Sequence, residues 1–220
     1  MPIYLVEIRT RLAEHRIKEI NNNFSRTFGV PTVDIPHITL FGPFILKKGV
    51  KETDLLTQIA RQIRKFDSIP VLIDGFDKRE GMKGYVVAHK VNPGDELVQI
   101  KRSFIAELNK ITRTRGMGDR DLADTWFHIT IAKRLTGQRS EQIWDTLVSG
   151  GSGDDSTQEQ NSSFPETLLI KLRELFLPGR HPARVNPLTM SEEILRVGIL
   201  RNSQLFAEFD LTEKRWLSRP

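Results

Sequence analysis

"PHITLFGPF" (36–44) and "FHITIAKRL" (127–135) are the stretches on which the reading of this chain turns. Each carries His-Ile-Thr followed by an aliphatic residue, with the histidines at 37 and 128. The chain has five histidines in 220 residues, so two of the five share one local context. Both stretches are rich in β-branched residues, the composition of strands. Successive side chains on a strand face opposite ways. His37 and Thr39 therefore share one face, with Ile38 and Leu40 on the other. His128 and Thr130 likewise oppose Ile129 and Ile131. The aliphatic side anchors each strand in a core, and the polar side meets water, a partner or a ligand. The first strand is expected to end at a Gly42-Pro43 turn.

Outward from the motifs, "IYLVEI" (3–8) reads as a strand. Leu12, Ile17, Ile20 and Phe24 recur at helical spacing before Gly29, which serves as a stop. Leu55, Leu56, Ile59, Ile63 and Phe66 line one side of a second helix, and Leu97, Ile100, Phe104, Ile105 and Leu108 that of a third. Residues 69–91 read as two strands around a Gly-containing turn. "SEQIWDTL" (140–147) reads as a short helix. The polar stretch 149–163 is expected to be a flexible loop. Three further strands are expected at "ETLLIKLRELFL" (166–177), "EILRVGIL" (193–200) and "LFAEFDL" (205–211), completing sheets begun earlier. This order gives an α+β fold with mainly antiparallel sheets, in one domain over 1–220.

Composition sets limits. At 25.3 kDa the chain can bury a core without staples. It has no cysteine, which removes disulfides, a thiolate nucleophile and Cys-ligated zinc. No apolar run is long enough for a leader or a membrane span, so a cytoplasmic, non-membrane protein is expected. The formal net charge of +5 leans mildly toward phosphate-bearing partners.

If the two motif strands lie side by side, two imidazoles and two hydroxyls face a common space. That set suits phosphoryl chemistry without a metal. One neutral imidazole takes a proton, one imidazolium gives one, and the reference pKa of about 6.5 makes both states accessible. The hydroxyls can hold the non-bridging phosphate oxygens. Zinc would need a third ligand, and no H-x-H, H-E-x-x-H or clustered Asp accompanies either motif. No metal and no cofactor are therefore expected.

The ordered pair of His-x-Thr motifs resembles the 2H phosphoesterase superfamily, close to its 2′-5′ RNA ligase and cyclic phosphodiesterase group. The ending "FAEFDLTEKRWL" (206–217) is similar to endings found there. The resemblance implies a bilobal fold with approximate two-fold symmetry, helices flanking the sheets, and a central cleft to which each lobe gives one motif strand. It implies action on an RNA or nucleotide 2′,3′-cyclic phosphate or a 2′-5′ linkage. His37 and His128 would be the acid–base pair, and Thr39 and Thr130 the phosphate-holding hydroxyls. Several relatives carry Arg five positions after the second histidine. Lys133 stands there, although strict alternation puts it on the face opposite His128, so a bend is needed for it to touch the phosphate. For stacking on a base, Tyr4, Tyr85, Trp126 and Phe41 come into view. Phe41 is favoured because it shares parity with His37. The protein is expected to act as a monomer on an RNA end or nucleotide cyclic phosphate. Two other readings stay open: a non-catalytic RNA- or nucleotide-binding module, and an enzyme of small nucleotides such as ADP-ribose cyclic phosphate.

Overall fold

A computed structural model describes residues 1–217 except 12, 34, 82, 115–119 and 150–188. The expected loop at 149–163 and the expected strand at 166–177 fall almost entirely outside the described residues. The elements run β1 (Tyr4–Arg9), α1 (Glu14–Phe28), β2 (His37–Leu46), α2 (Glu52–Ile63), β3 (Ile69–Gly81), β4 (Gly84–Pro93) and α3 (Asp95–Ile111). They continue with β5 (Thr112–Thr114), β6 (His128–Leu135), α4 (Gly137–Ser149), β7 (Thr189–Ile194), β8 (Arg196–Arg201), β9 (Gln204–Asp210) and β10 (Arg215–Leu217). The fold is α+β, a curled antiparallel sheet in the order β10-β9-β8-β1-β2-β6-β4-β3-β7, with β5 attached to β2.

The aliphatic residues of the motif strands lie where alternation puts them. Ile38, Leu40, Ile129 and Ile131 are fully buried. Burial of one such side chain is worth about 1.5–3 kcal/mol. Helices cover this face. Ile17 and Ile20 of α1, Leu55 and Ile59 of α2, and Leu97, Ile100 and Phe104 of α3 share one core with Ile8, Ile38 and Ile129. Phe24 and Phe28 of α1 meet Ile143 and Leu147 of α4 over Val87 and Ile131 in a second. Gly29, in the left-handed region at φ +62°, ends α1 and donates its N–H to the Ser25 carbonyl.

The two motif strands sit in equivalent frames. β1 pairs with β2 through Arg9:His37, Glu7:Thr39, Val6:Phe41 and Tyr4:Phe44. β4 pairs with β6 through Lys90:His128, Ala88:Thr130, Val87:Ala132 and Tyr85:Leu135. The steps between partners are identical, including two register shifts at matching places. Each first shift gives the motif strand one extra residue, at Leu40 in β2 and at Ile131 in β6. Such a bulge leaves a residue outside the ladder and reverses the facing of those after it. The burial sequence over the five residues from each histidine is accordingly the same in both strands: half-buried, buried, half-buried, buried, buried.

These bulges correct two expectations. Phe41 does not reach the cleft. It follows the bulged Leu40, so it turns into the core with no exposed surface, packed on Phe44 and Phe104. Lys101 of α3 lies 5.7 Å from its ring centroid and donates to the Leu40 carbonyl at 3.0 Å, giving the bulge a buried partner. Nor does β2 end at Gly42-Pro43, because the strand runs on to Leu46 and Phe44 pairs with Tyr4. Gly42 takes φ +113°, and a Cβ there would stand 3.0 Å from both the Tyr4 carbonyl oxygen and the Phe44 ring. The second register shift is thus built around a residue that has to be glycine.

Candidate functional site

β2 and β6 meet at one residue pair, Ile38 opposite Ile129. One step along this antiparallel register sets His37 opposite Thr130, and one step the other way sets Thr39 opposite His128. The four polar side chains named from the sequence therefore form a compact quartet on the face away from the helices. All four are half-buried. The neighbouring strands extend this face. Lys90 lies beside His128, Arg9 beside His37, and Glu7 beside Thr39.

The two imidazoles are held alike. Nδ1 of His37 lies 2.9 Å from the Ile35 carbonyl oxygen, and Nδ1 of His128 lies 2.9 Å from that of Trp126. A carbonyl only accepts, so each ring carries its proton on Nδ1 when neutral and keeps Nε2 as the atom for proton exchange. The equivalent strand frames explain the match, since in each case the acceptor lies two residues before the histidine.

Their surroundings differ. The Trp126 ring stacks on His128 with centroids 3.8 Å apart and planes 16° from parallel. The Arg79 guanidinium lies 5.1 Å over the same indole. The indole N–H donates to Asp77 Oδ2 at 2.8 Å, which fixes the ring's rotation. Trp126 therefore has His128 and Arg79 as ring neighbours and is poorly placed to receive a base. Burial under this stack holds the His128 pKa below the usual imidazole value. The charges of His37 and Arg79 act in the same direction, against the Trp126 carbonyl and Asp77. On the other side, Glu7 is 1% exposed and places Oε2 4.0 Å from Nδ1 of His37. Glu7 Oε1 accepts from Arg9 Nε at 2.6 Å.

Of the remaining sequence candidates, Lys133 gains the bend it needed. The bulge at Ile131 turns Ala132 into the core and Lys133 back toward the polar face, where it is exposed. Tyr4 is buried, and Tyr85 is half-exposed at the equivalent point of the other lobe. His15 is exposed on α1, and His89 is fully buried in β4. His181 lies outside the described residues. Sequence reasoning missed Glu7, Asp77 and Arg79. They come to the site through sheet register, and no local pattern in the sequence marked them. Among the described residues, no group of three or more His, Asp or Glu is placed to hold a metal ion. Among them, too, no helix is long and apolar enough to cross a membrane.

No curated protein matches the sequence. A solved structure of a phosphoesterase aligns with a TM-score of 0.47 at 9% identity, covering 96% of this chain and 98% of its own. The 2′-5′ RNA ligase superfamily model matches residues 9–171, the greater part of the chain and both His-x-Thr motifs. The chain belongs to the 2′-5′ RNA ligase superfamily, the 2H phosphoesterases.

Proposed function

We propose that this phosphoesterase opens a 2′,3′-cyclic phosphate at the end of an RNA or on a nucleotide, by acid–base catalysis between His128 and His37 and without a metal. The observation that carries the reading is the matched pair of imidazoles, each with Nδ1–H bound to a carbonyl two residues back and Nε2 left for exchange. His128 is the base. Its lowered pKa keeps it neutral at pH 7, so Nε2 can take a proton from water. The water oxygen bonds to phosphorus as one ring P–O bond breaks. His37, as imidazolium, gives its Nε2 proton to the departing sugar oxygen. Exchange with solvent then resets both rings.

The Thr39 and Thr130 hydroxyls donate to the non-bridging oxygens and hold phosphorus between the rings. Lys133, Lys90 and Arg79 supply positive charge around a dianionic transition state. With the 5′-hydroxyl of a second RNA end in place of water, the same pair would join the ends through a 2′-5′ bond: the 5′-oxygen bonds to phosphorus as the P–O3′ ring bond breaks, and the departing 3′-oxygen takes the acid's proton. Both motifs come from one chain, so a monomer has the whole site, and RNA ends in the cytoplasm are the expected substrates.

The test is turnover of a 2′,3′-cyclic nucleotide, and of a short RNA ending in one, with EDTA present. Wild type turns over, while His37→Ala and His128→Ala each lose about 10²–10⁴-fold in kcat with the fold retained. Full activity in either variant, or a strict need for a divalent ion, overturns the mechanism. Silence of wild type on both substrates overturns the substrate assignment.

A further inference from the structure

Glu7 poses a question that a two-histidine mechanism leaves unanswered. Its side chain is 1% exposed in the middle of β1. Burying a carboxylate is costly unless its oxygens are matched. Oε1 is matched by Arg9, but Oε2 is buried with no hydrogen-bond partner among the described residues. Orphaned buried polar atoms are few in native structures and call for a reason. A structural ion pair with Arg9 gives none, because that pair uses the other oxygen. The neighbour of Glu7 across β8 is Gly198, which has no side chain to offer Oε2. What Oε2 does face is the His37 ring, 4.0 Å from Nδ1.

The lobe symmetry sharpens the point. Glu7 pairs with Thr39 as Ala88 pairs with Thr130, and Arg9 pairs with His37 as Lys90 pairs with His128. The two lobes thus match cation for cation, but the carboxylate of one is a methyl group in the other. From β3, Asp77 and Arg79 face the His128 side, with the Asp77 oxygen committed to the Trp126 indole. His37 is faced by Glu7 and Arg9 from β1 and by His128 from β6. Glu7 is thus a negative group beside His37 with no counterpart beside His128 on β4, and its Oε2 is the oxygen that Arg9 leaves unused.

We propose that Glu7 is a positioning residue for His37, its unpaired oxygen serving as the counter-charge that holds the imidazolium in place until its Nε2 proton passes to the leaving oxygen. This deepens the reading above and rests on it for the proton-transfer step. The proton given up is the one on Nε2, so Glu7 takes no part in the transfer itself.

The experiment follows the His37 ring by NMR against pH in the full chain, beside the pH profile of kcat on a 2′,3′-cyclic nucleotide. In Glu7→Gln, the His37 signal changes from imidazolium to neutral at a lower pH than in wild type. The basic limb of the kcat profile moves the same way. At pH 7.5, kcat falls about tenfold while KM stays within about twofold. Glu7→Asp keeps the charge, retains most of the wild-type behaviour, and serves if the glutamine variant does not fold. An unmoved His37 signal in a folded Glu7→Gln protein overturns the proposal, as does a rise in KM with kcat and its pH profile unchanged. The ring titration needs no turnover, so it decides the role of Glu7 even if wild type leaves cyclic phosphates untouched.

Discussion

Acidification should weaken this fold by a definable amount through His89. His89 occupies the place in β4 that Ile8 occupies in β1, opposite the isoleucine of the motif strand. It is fully buried, with Nε2 3.2 Å from Asn21 Oδ1 and Nδ1 without a hydrogen-bond partner among the described residues. Burial lowers its pKa from 6.5 to about 4. The unfolded chain therefore binds more protons than the native one between those values. The stability contributed by the neutral native ring is fully present above about pH 6.5 and is lost as pH falls toward 4. A gap of this size corresponds to about 3 kcal/mol in total, of which about 2 kcal/mol disappears between pH 7 and pH 5. Urea unfolding at those two pH values, in wild type and in His89→Ile, measures it. The variant leaves Asn21 Oδ1 unpaired and starts about 1–3 kcal/mol less stable. The informative quantity is therefore the pH dependence and not the absolute stability. Wild type should lose about 2 kcal/mol more than the variant on going to pH 5. Equal losses would refute the claim that His89 is buried neutral.

Two further expectations concern catalysis. Trp126→Ala uncovers His128 and releases Asp77 Oδ2 from the indole, and lifting the burial favours the charged ring. The acidic limb of the kcat/KM profile should move to higher pH, and a limb that stays in place would sever the stack from the base. Thr39→Val and Thr130→Val each remove one hydroxyl donor to a charged phosphate, an interaction of about 1.5–3 kcal/mol. Each should lose about ten- to a hundredfold in kcat/KM with little change in melting temperature. Unchanged kinetics in both would remove the hydroxyls from the phosphate.

Much of this architecture is written locally. The alternation of Ile38 and Leu40 against His37 and Thr39 is a period-two signal, and it gives the facing of the first four motif residues correctly. The helices carry apolar stripes, and the cores bury them. Parity fails at Phe41 because the bulge at Leu40 depends on the register between β1 and β2, which no short stretch of β2 contains. The same blindness made Lys133 look misdirected and Gly42-Pro43 look like a turn. Glu7, Asp77 and Arg79 escape for a related reason. A charged residue on a half-exposed strand looks like a solvated one until the neighbouring strand is known. Asp77 and Trp126 are 49 residues apart in sequence, and only the β3, β4 and β6 pairings bring them within 2.8 Å.

The symmetry of the site and its chemistry pull in different directions. A repeated frame is an economical way to aim two imidazoles at one phosphorus, because the same pairings, bulges and Nδ1 acceptors orient both rings. Two rings in identical surroundings would share a single proton equally, so at most about half of the molecules would hold it on the ring that must act as the acid. The frame is therefore repeated while its neighbours are not. Where one lobe has Ile8, the other has His89; where one has Glu7, the other has Ala88. Among the described residues, His128 and not His37 has an indole stacked on it, with the Arg79 guanidinium over that indole. Dry cover around His128 favours its neutral form, and the Glu7 oxygen that Arg9 does not use lies beside His37 and complements a cation. Those differences lie on β1, β3 and β4 and in the residues just before β6, so the motif strands can keep the same His-Ile-Thr while their rings take opposite parts in the proposed proton exchange.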